Sequence, residues 1–478
     1  MSDAYDLVVL GGGTGGLVSA LIAAGAGARV ALVERDRTGG DCLWTGCVPS
    51  KSLLASASLA HRIRHADAVG LQPATPQIDF AKVIGHVHGA MRAIEPQDSP
   101  ERLRQAGVEV LHAKGTFTAP GRIEADGREL RWRRAIIATG SAPVVPPIPG
   151  LQDADPLTTG TLWDVRELPK RLVVLGGGPV GCELAQAFAR LGSSVTLVEM
   201  GDRLLVKEEP RASDLIASRL RDEGIDVRLA KPATEVRRAA AGHELIIESS
   251  GEPVGFDTII VAAGRAPRTD GLALERIGVE VDRGSAIKVD GRLRTSARGV
   301  FAVGDVTGLL PFTHVAAHHA RVATPNALFG ARGTVSATVP WVTFTDPEVG
   351  RVGLTEAQAR DRWGSRAKLA EFDYAELDRA ITAGEGYGFA RLVADPRGRL
   401  VGATVAAPGG GEAIAELTAW VARREKLQTV SRTVHAYPTL AEGPARAADD
   451  YLSARYARPP VHALSRAVLA LLRHLDRA

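Results

Sequence analysis

The sequence predicts an α/β fold class, with two Rossmann-like units followed by a smaller α+β domain, and three observations carry that prediction. A pattern of β-type apolar run, glycine cluster, helix-like stretch, second apolar run and acidic residue occurs twice, starting near residues 6 and 171. Apolar strands that stop at glycine recur at Ile136 to Gly140 and Ile259 to Gly264. From about residue 335 the pattern changes to alternating strand-like runs with no third glycine cluster.

In the first unit Asp6 to Leu10 precedes Gly11, Gly13 and Gly16, and Arg29 to Val33 ends at Glu34. In the second, Arg171 to Leu175 precedes Gly176, Gly178 and Gly181, and Ser194 to Val198 ends at Glu199. Each reads as a βαβ dinucleotide-binding unit. The glycines permit a tight turn and close passage of a pyrophosphate, which sits on the helix N-terminus, while the carboxylate accepts the ribose hydroxyl protons. A single such cluster is weak, because ordinary glycine turns share it. Two with matching acid spacing are specific. The strands ending at Gly140 and Gly264 then read as the returning strand of each unit, beside the nucleotide crevice.

Proline-rich stretches at Val144 to Pro149 and Pro340 to Pro347 suit crossings between domains, since proline favours extended connectors. Beyond them, strand-like Phe389 to Val393 and Leu400 to Val405 lead into a helical stretch, Glu412 to Glu425.

The bulk composition narrows the function classes. At 478 residues the chain exceeds one hydrophobic core. A formal charge of +3 over that length argues against nucleic acid. Three cysteines exclude a secreted disulfide scaffold and make cytoplasm the expected compartment. No charged leader precedes Leu7, and no apolar run reaches the roughly 18 residues of a membrane span.

The most specific stretch is Gly39-Gly40-Asp41-Cys42-Leu43-Trp44-Thr45-Gly46-Cys47-Val48-Pro49-Ser50-Lys51. A disulfide wants Cα atoms about 4.4 to 6.8 Å apart, nearer than an undistorted helix holds residues five apart. The segment must therefore bend, and Gly46 eases that bend. The alternative is two buried thiols that never meet. Cys182 reads as a small core residue.

With these residues in view, the chain resembles the pyridine nucleotide-disulfide oxidoreductase family, which includes dihydrolipoamide dehydrogenase, glutathione reductase and mercuric reductase. The resemblance spans nearly the whole length. It implies a first FAD-binding part over 1–150, an NAD(P)-binding domain over 151–268, a second FAD part over 269–334 and a homodimerisation domain over 335–450, followed by a basic extension over 451–478. Gly299-Val300-Phe301-Ala302-Val303-Gly304-Asp305 matches the second FAD segment, with Asp305 on the ribityl and phosphate region. Gly40, Lys51, Gly115, Thr139 and Gly140 join Gly11, Gly13, Gly16 and Glu34 as FAD positions. Gly176, Gly178, Gly181, Glu199 and Gly264 serve the nicotinamide nucleotide.

By the same resemblance, Cys42 is the interchange thiol that meets substrate and Cys47 the charge-transfer thiol against the flavin. Lys51 and Glu183 form an ion pair near the flavin N5. The bland readings are a surface lysine and an ordinary helix glutamate. Hydride then passes from nicotinamide to flavin, and electrons leave through Cys47. Glu199 stands where a 2′-phosphate would lie, so NAD is favoured over NADP, although Arg203 is close enough in sequence to keep NADP open.

The family's His-Pro pair followed by glutamate is altered. Here the segment reads His435-Ala436-Tyr437-Pro438-Thr439-Leu440-Ala441-Glu442. A phenol with pKa about 10 is a poor base beside an imidazole at about 6.5, which weakens dithiol-disulfide exchange. A tyrosine there resembles mercuric reductase, yet no cysteine follows Cys182 to relay a soft metal inward. His435 either approaches the thiols or packs at the dimer interface. His314, His318 and His319 read as flavin-side packing or solvent contacts, and no metal site is expected.

Past Val461, Leu464, Val468, Leu471, Leu472 and Leu475 recur at helical spacing with Arg466, Arg473 and Arg477 between them. Such a helix lies on an anionic membrane surface, docks a partner or packs on its own dimer. The expected activity is electron transfer from NADH through FAD and the cysteine pair to a small disulfide, a quinone-like molecule or a metal ion. The rival expectation is a redox-sensing flavoprotein whose tail is a docking element.

Overall fold

The computed structural model describes residues 4–240, 242–248, 252–456 and 459–476. Arg477 lies outside them. The chain divides into two compact units. One comprises Met1–Arg64, Thr75–Asp202 and Glu223–Ser336; the other comprises His65–Ala74, Arg203–Asp222 and Ala337–Ala478.

The first unit contains two parallel sheets. One orders its strands Val300–Ala302, Ala135–Ile137, Leu7–Leu10, Val30–Glu34 and Val108–His112. Leu7 to Leu10 register with Val30 to Val33 on one side, and Val8 to Leu10 with Ala135 to Ile137 on the other. The second sheet orders Asp226–Arg228, Ser194–Val198, Arg171–Leu175 and Thr258–Val261. Its central strand pairs in parallel with both neighbours. Leu7–Leu10 is buried throughout, and Arg171–Leu175 at every residue but the first, as strands covered on both faces must be.

The duplication extends past the fingerprints. Each sheet carries a three-stranded antiparallel insertion: Gly115–Ala119, Arg122–Ala125 and Arg128–Arg131 in the first, and Ala233–Ala239, Gly242–Ile247 and Val254–Phe256 in the second. The strands ending before Gly140 and Gly264 return beside the first strand of their own sheet.

The second unit is built on a five-stranded antiparallel sheet, ordered Pro340–Thr343, Glu348–Gly353, Leu400–Ala407, Phe389–Ala394 and Lys368–Asp373. Helices Gly410–Arg423 and Gly443–Tyr456 close its core through Leu417, Trp420, Ala447 and Ala448. The segment expected as a connector from Pro340 begins instead with an edge strand. Proline is tolerated at the first residue of such a strand because no ladder bond is required of its nitrogen. The helix Pro210–Asp222 belongs to this unit. Arg211 at its start pairs with Glu371 and Asp373 and lies 4.5 Å over the Phe389 ring.

Candidate functional site

Both glycine turns have the same construction. Gly11 and Gly176 sit at φ +104° and +115°, in the region that only glycine enters without strain. Five residues on, a Cβ at Gly16 or Gly181 would lie 1.8 Å from the carbonyl oxygen of Gly11 or Gly176. A side chain is sterically impossible there. Gly13 and Gly178 cap helices Thr14–Gly25 and Pro179–Leu191 without a side-chain bond, so no cap side chain satisfies the first-turn amides.

The strand-end acids repeat the correspondence. Glu34 accepts the Gly12 N–H at 2.5 Å and the Asp36 N–H at 2.8 Å. Glu199 accepts the Gly177 and Gly201 N–H groups, each at 2.6 Å. Each carboxylate thus braces its own glycine turn and keeps lone pairs for ribose hydroxyls. Two cradles that no Cβ could share, each with a helix N-terminus and a carboxylate, fit two dinucleotides.

Gly40 and Thr139 lie against the first cradle, at Gly13 and Gly11. Gly40 opens the helix Gly40–Trp44, and a Cβ on it would lie 2.6 Å from the Gly13 Cα. Thr139 donates its hydroxyl to the Arg268 carbonyl at 2.7 Å, and Gly140 has open space where a Cβ would go, as does Gly264. Gly115 is buried in its strand, where a Cβ would press on the Leu10 side chain at 2.6 Å, so packing alone accounts for its glycine. Asp305 accepts the Ser141 hydroxyl at 2.6 Å.

The cysteine segment bends where geometry requires it. Helix Gly40–Trp44 stops at Thr45, whose φ is −136°, and a new helix, Cys47–Arg64, starts at the second cysteine. The Asp41 carbonyl accepts the Thr45 N–H at 2.9 Å, and any Cβ on Gly46 would stand 2.8 Å from that carbonyl. Gly46 is therefore set by close approach rather than by φ. The Trp163 indole donates to the Thr45 carbonyl at 3.1 Å, and the Trp44 indole to the Thr38 carbonyl at 2.7 Å.

Cys42 and Cys47 are free thiols that hydrogen bond to each other. Cys47 Sγ lies 3.4 Å from the Thr313 hydroxyl. The Cys42 hydrogen bond, with help from Thr313 and the Lys51 ammonium, pulls the Cys47 thiol down to about 6 against the opposing effect of burial. Its place at a helix N-terminus acts in the same direction. The same hydrogen bond and burial push Cys42 up, so the pair shares one proton with Cys47 as the thiolate. Lys51 Nζ meets Glu183 Oε2 at 2.8 Å, and the Glu183 side chain is only 6% exposed.

Sequence reasoning missed the ion cluster beside the cysteines. Asp41 pairs with Arg265 and, at 3.2 Å, with Arg268, while Arg265 Nε donates to the Ser141 hydroxyl at 2.7 Å. Ser141 in turn reaches Asp305, so the residue before Cys42 is linked to the second FAD segment. The Ala-Thr-Gly-Ser and Ala-Ala-Gly-Arg endings of the returning strands carried the only signal, and the pairing between them is invisible in one dimension.

Two of the histidines after Asp305 serve the backbone. His319, buried, accepts the Gly304 N–H at 3.2 Å on Nδ1, and burial holds its pKa down to about 4. His318 Nε2 accepts the Ser336 N–H at 2.9 Å. Among the described residues no three His, Cys, Asp or Glu side chains are grouped to hold a metal ion.

In the second unit, His435 has both ring nitrogens engaged, Nδ1 with the Thr433 carbonyl at 2.9 Å and Nε2 with Glu416 at 3.2 Å. Tyr437 is 67% exposed and donates its hydroxyl to Asp378 at 2.9 Å, which raises its pKa further. Glu442 accepts the Thr439 N–H at 3.1 Å as half of a capping box.

Comparison with known proteins adds the following. Residues 5–320 match the family model "Pyridine nucleotide-disulphide oxidoreductase", and residues 339–448 match that family's dimerisation domain. Dihydrolipoyl dehydrogenase of Thermus scotoductus is 36% identical over 93% of this chain and 97% of its own length. Mercuric reductase of Streptomyces lividans is 37% identical over 94% and 96%. Among solved structures, LpdA from Mycobacterium tuberculosis superposes with a TM-score of 0.85 at 30% identity, covering 93% of this chain and 99% of that one. A Cu(II) complex of the HOCl-induced flavoprotein disulfide reductase RclA from Escherichia coli gives 0.83 at 28% identity, covering 92% and 98%.

Proposed function

The chain belongs to the pyridine nucleotide-disulphide oxidoreductases, with FAD and NAD as cofactors, and on that premise we propose that it passes electrons from NADH to a thiophilic metal ion delivered to Cys42 and Cys47. The observation that carries the acceptor is the proton chemistry around the thiols. Cys42, Thr313 and Lys51 hold Cys47 as a thiolate. His435 and Tyr437, the residues standing in the family's base segment, each spend their polar atoms within the second unit. A soft cation needs thiolate ligands and little acid–base help, whereas a disulfide acceptor needs a proton for each thiolate it releases.

FAD, when bound, relays two electrons between nicotinamide and sulfur. The chain's own residues do the rest. Gly11, Gly13, Gly16, Gly40 and Gly140 give the backbone access to a pyrophosphate, and Glu34 and Asp305 supply acceptors for ribose and ribityl hydroxyls. Gly176, Gly178, Gly181 and Gly264 do the same for NAD, where Glu199 holds the ribose and repels a 2′-phosphate. Arg203 donates to the Val206 carbonyl. Lys51, held by its ion pair with Glu183, lowers the Cys47 pKa while the glutamate opposes it.

In each cycle the Cys42–Cys47 disulfide gains two electrons and one proton, the content of one hydride, to leave the Cys42 thiol and the Cys47 thiolate. The pair then returns two electrons, to one Hg(II) or to two Cu(II) ions, as the disulfide re-forms and its proton leaves. A small disulfide is the second reading, favoured by the 36% identity to a dihydrolipoyl dehydrogenase. Steady-state NADH oxidation with Cu(II), Hg(II), a quinone, lipoamide and glutathione disulfide decides between them. The proposal expects the metal ions to turn over fastest, with Cys47→Ser abolishing that turnover. Lipoamide exceeding both metals overturns it.

A further inference from the structure

The chain's net positive charge is carried at one end. Residues 451–478 hold five arginines, no lysine and one acid, Asp476, a net +4 against +3 for all 478 residues. The remaining 450 residues are therefore close to neutral. This stretch also lies past residue 448, where the match to the dimerisation domain stops.

Within it, Pro459–Leu475 forms a helix with no buried residue. Leu464, Val468, Leu471, Leu472 and Leu475 follow one another at spacings of four, three, one and three, which sets them on a single stripe. Leu464 is 66% exposed and Leu471 and Leu475 are each 59% exposed. Arg466 and Arg473, seven residues apart, share the opposite side with His462. No helix among the described residues is long and apolar enough to cross a membrane, so such a stripe would lie along a surface.

We propose that this helix docks the enzyme on an anionic phospholipid surface, its leucine stripe entering the acyl boundary while the arginines meet lipid phosphates. Charge decides against a second copy of the helix as the occupant. A second copy of the helix would add further arginines and, over residues 459–475, no carboxylate to answer Arg466 and Arg473. An anionic bilayer supplies the missing counter-charge, and basic segments gain affinity there that salt screens away. The inference stands apart from the identity of the electron acceptor.

The test is co-sedimentation of the FAD-loaded full-length protein with vesicles of phosphatidylcholine alone or of equal phosphatidylcholine and phosphatidylglycerol, at low and high salt. The bound fraction is expected to be at least about tenfold higher on the anionic vesicles and to fall with salt. Leu471→Glu with Leu472→Glu should reduce it to the phosphatidylcholine level, and Arg466→Gln with Arg473→Gln should lower it several-fold. A chain ending at residue 456 should match the first variant, and all three should keep flavin content and NADH turnover. Equal sedimentation with both vesicle types, or undiminished binding after truncation, overturns the proposal. So does a full-length protein that ignores vesicles while truncation lowers its oligomeric mass, since the helix then joins copies of the chain.

Discussion

At the scale of single residues, the account turns on where one proton sits. A thiol held near 6 is a thiolate at neutral pH, so Cys47 reactivity and any long-wavelength thiolate-to-flavin absorption should be constant above pH about 7 and fade as pH drops through about 6. Thr313→Val removes one of the bonds that hold the thiolate, and a hydrogen bond to a charged group is worth about 1.5 kcal/mol. The transition should then move up by about one pH unit. An unmoved transition assigns the thiolate wholly to Cys42 and Lys51. Nucleotide choice rests on another carboxylate: Glu199→Gln removes the charge facing a 2′-phosphate and should raise kcat/KM for NADPH relative to NADH by roughly tenfold. Comparing the two ratios in steady state checks it.

At the scale of elements, the two cradles make separable predictions. Gly16→Ala forces a methyl into the Gly11 carbonyl and should empty the protein of flavin, whereas Gly181→Ala should leave flavin bound and weaken NADH alone. Flavin absorbance per chain and the KM for NADH distinguish the outcomes. Helix Pro179–Leu191 also carries the buried Arg190–Glu223 pair, whose side chains are 5% and 7% exposed. Arg190→Leu strands a buried charge and should cost about 3 to 5 kcal/mol in denaturant unfolding. The helices, glycine turns and parallel strands were legible because local periodicity and turn chemistry write them into consecutive residues. The Gly46 bend was legible too, although its cause is contact with Asp41 rather than left-handed backbone. The Asp41, Arg265, Arg268, Ser141 and Asp305 cluster was not, because its members are brought together by tertiary contacts that span 124 to 227 positions of sequence. Trp163 on the Thr45 carbonyl was hidden for the same reason. Pro340 misled because an edge strand tolerates what a central one forbids.

At the scale of the whole molecule, the sequence carries two dinucleotide cradles and one dithiol in the first unit, while the second unit matches a dimerisation domain. The second unit holds its own sheet and the segment before Pro210 together through a buried pair, Arg351 and Glu208, at 2.8 Å with Trp341 also donating to the carboxylate. Arg351→Met should destabilise it by about 3 to 5 kcal/mol, read as an earlier unfolding transition while flavin remains bound. The central claim is that the sulfurs of Cys42 and Cys47 exchange electrons with the flavin. Anaerobic titration of the FAD-loaded protein with dithionite tests it most directly. The account predicts uptake of the electrons required by flavin and disulfide together, with long-wavelength absorption at the halfway point that is absent from Cys47→Ser. Uptake of only the flavin's share, with no such band, would contradict it.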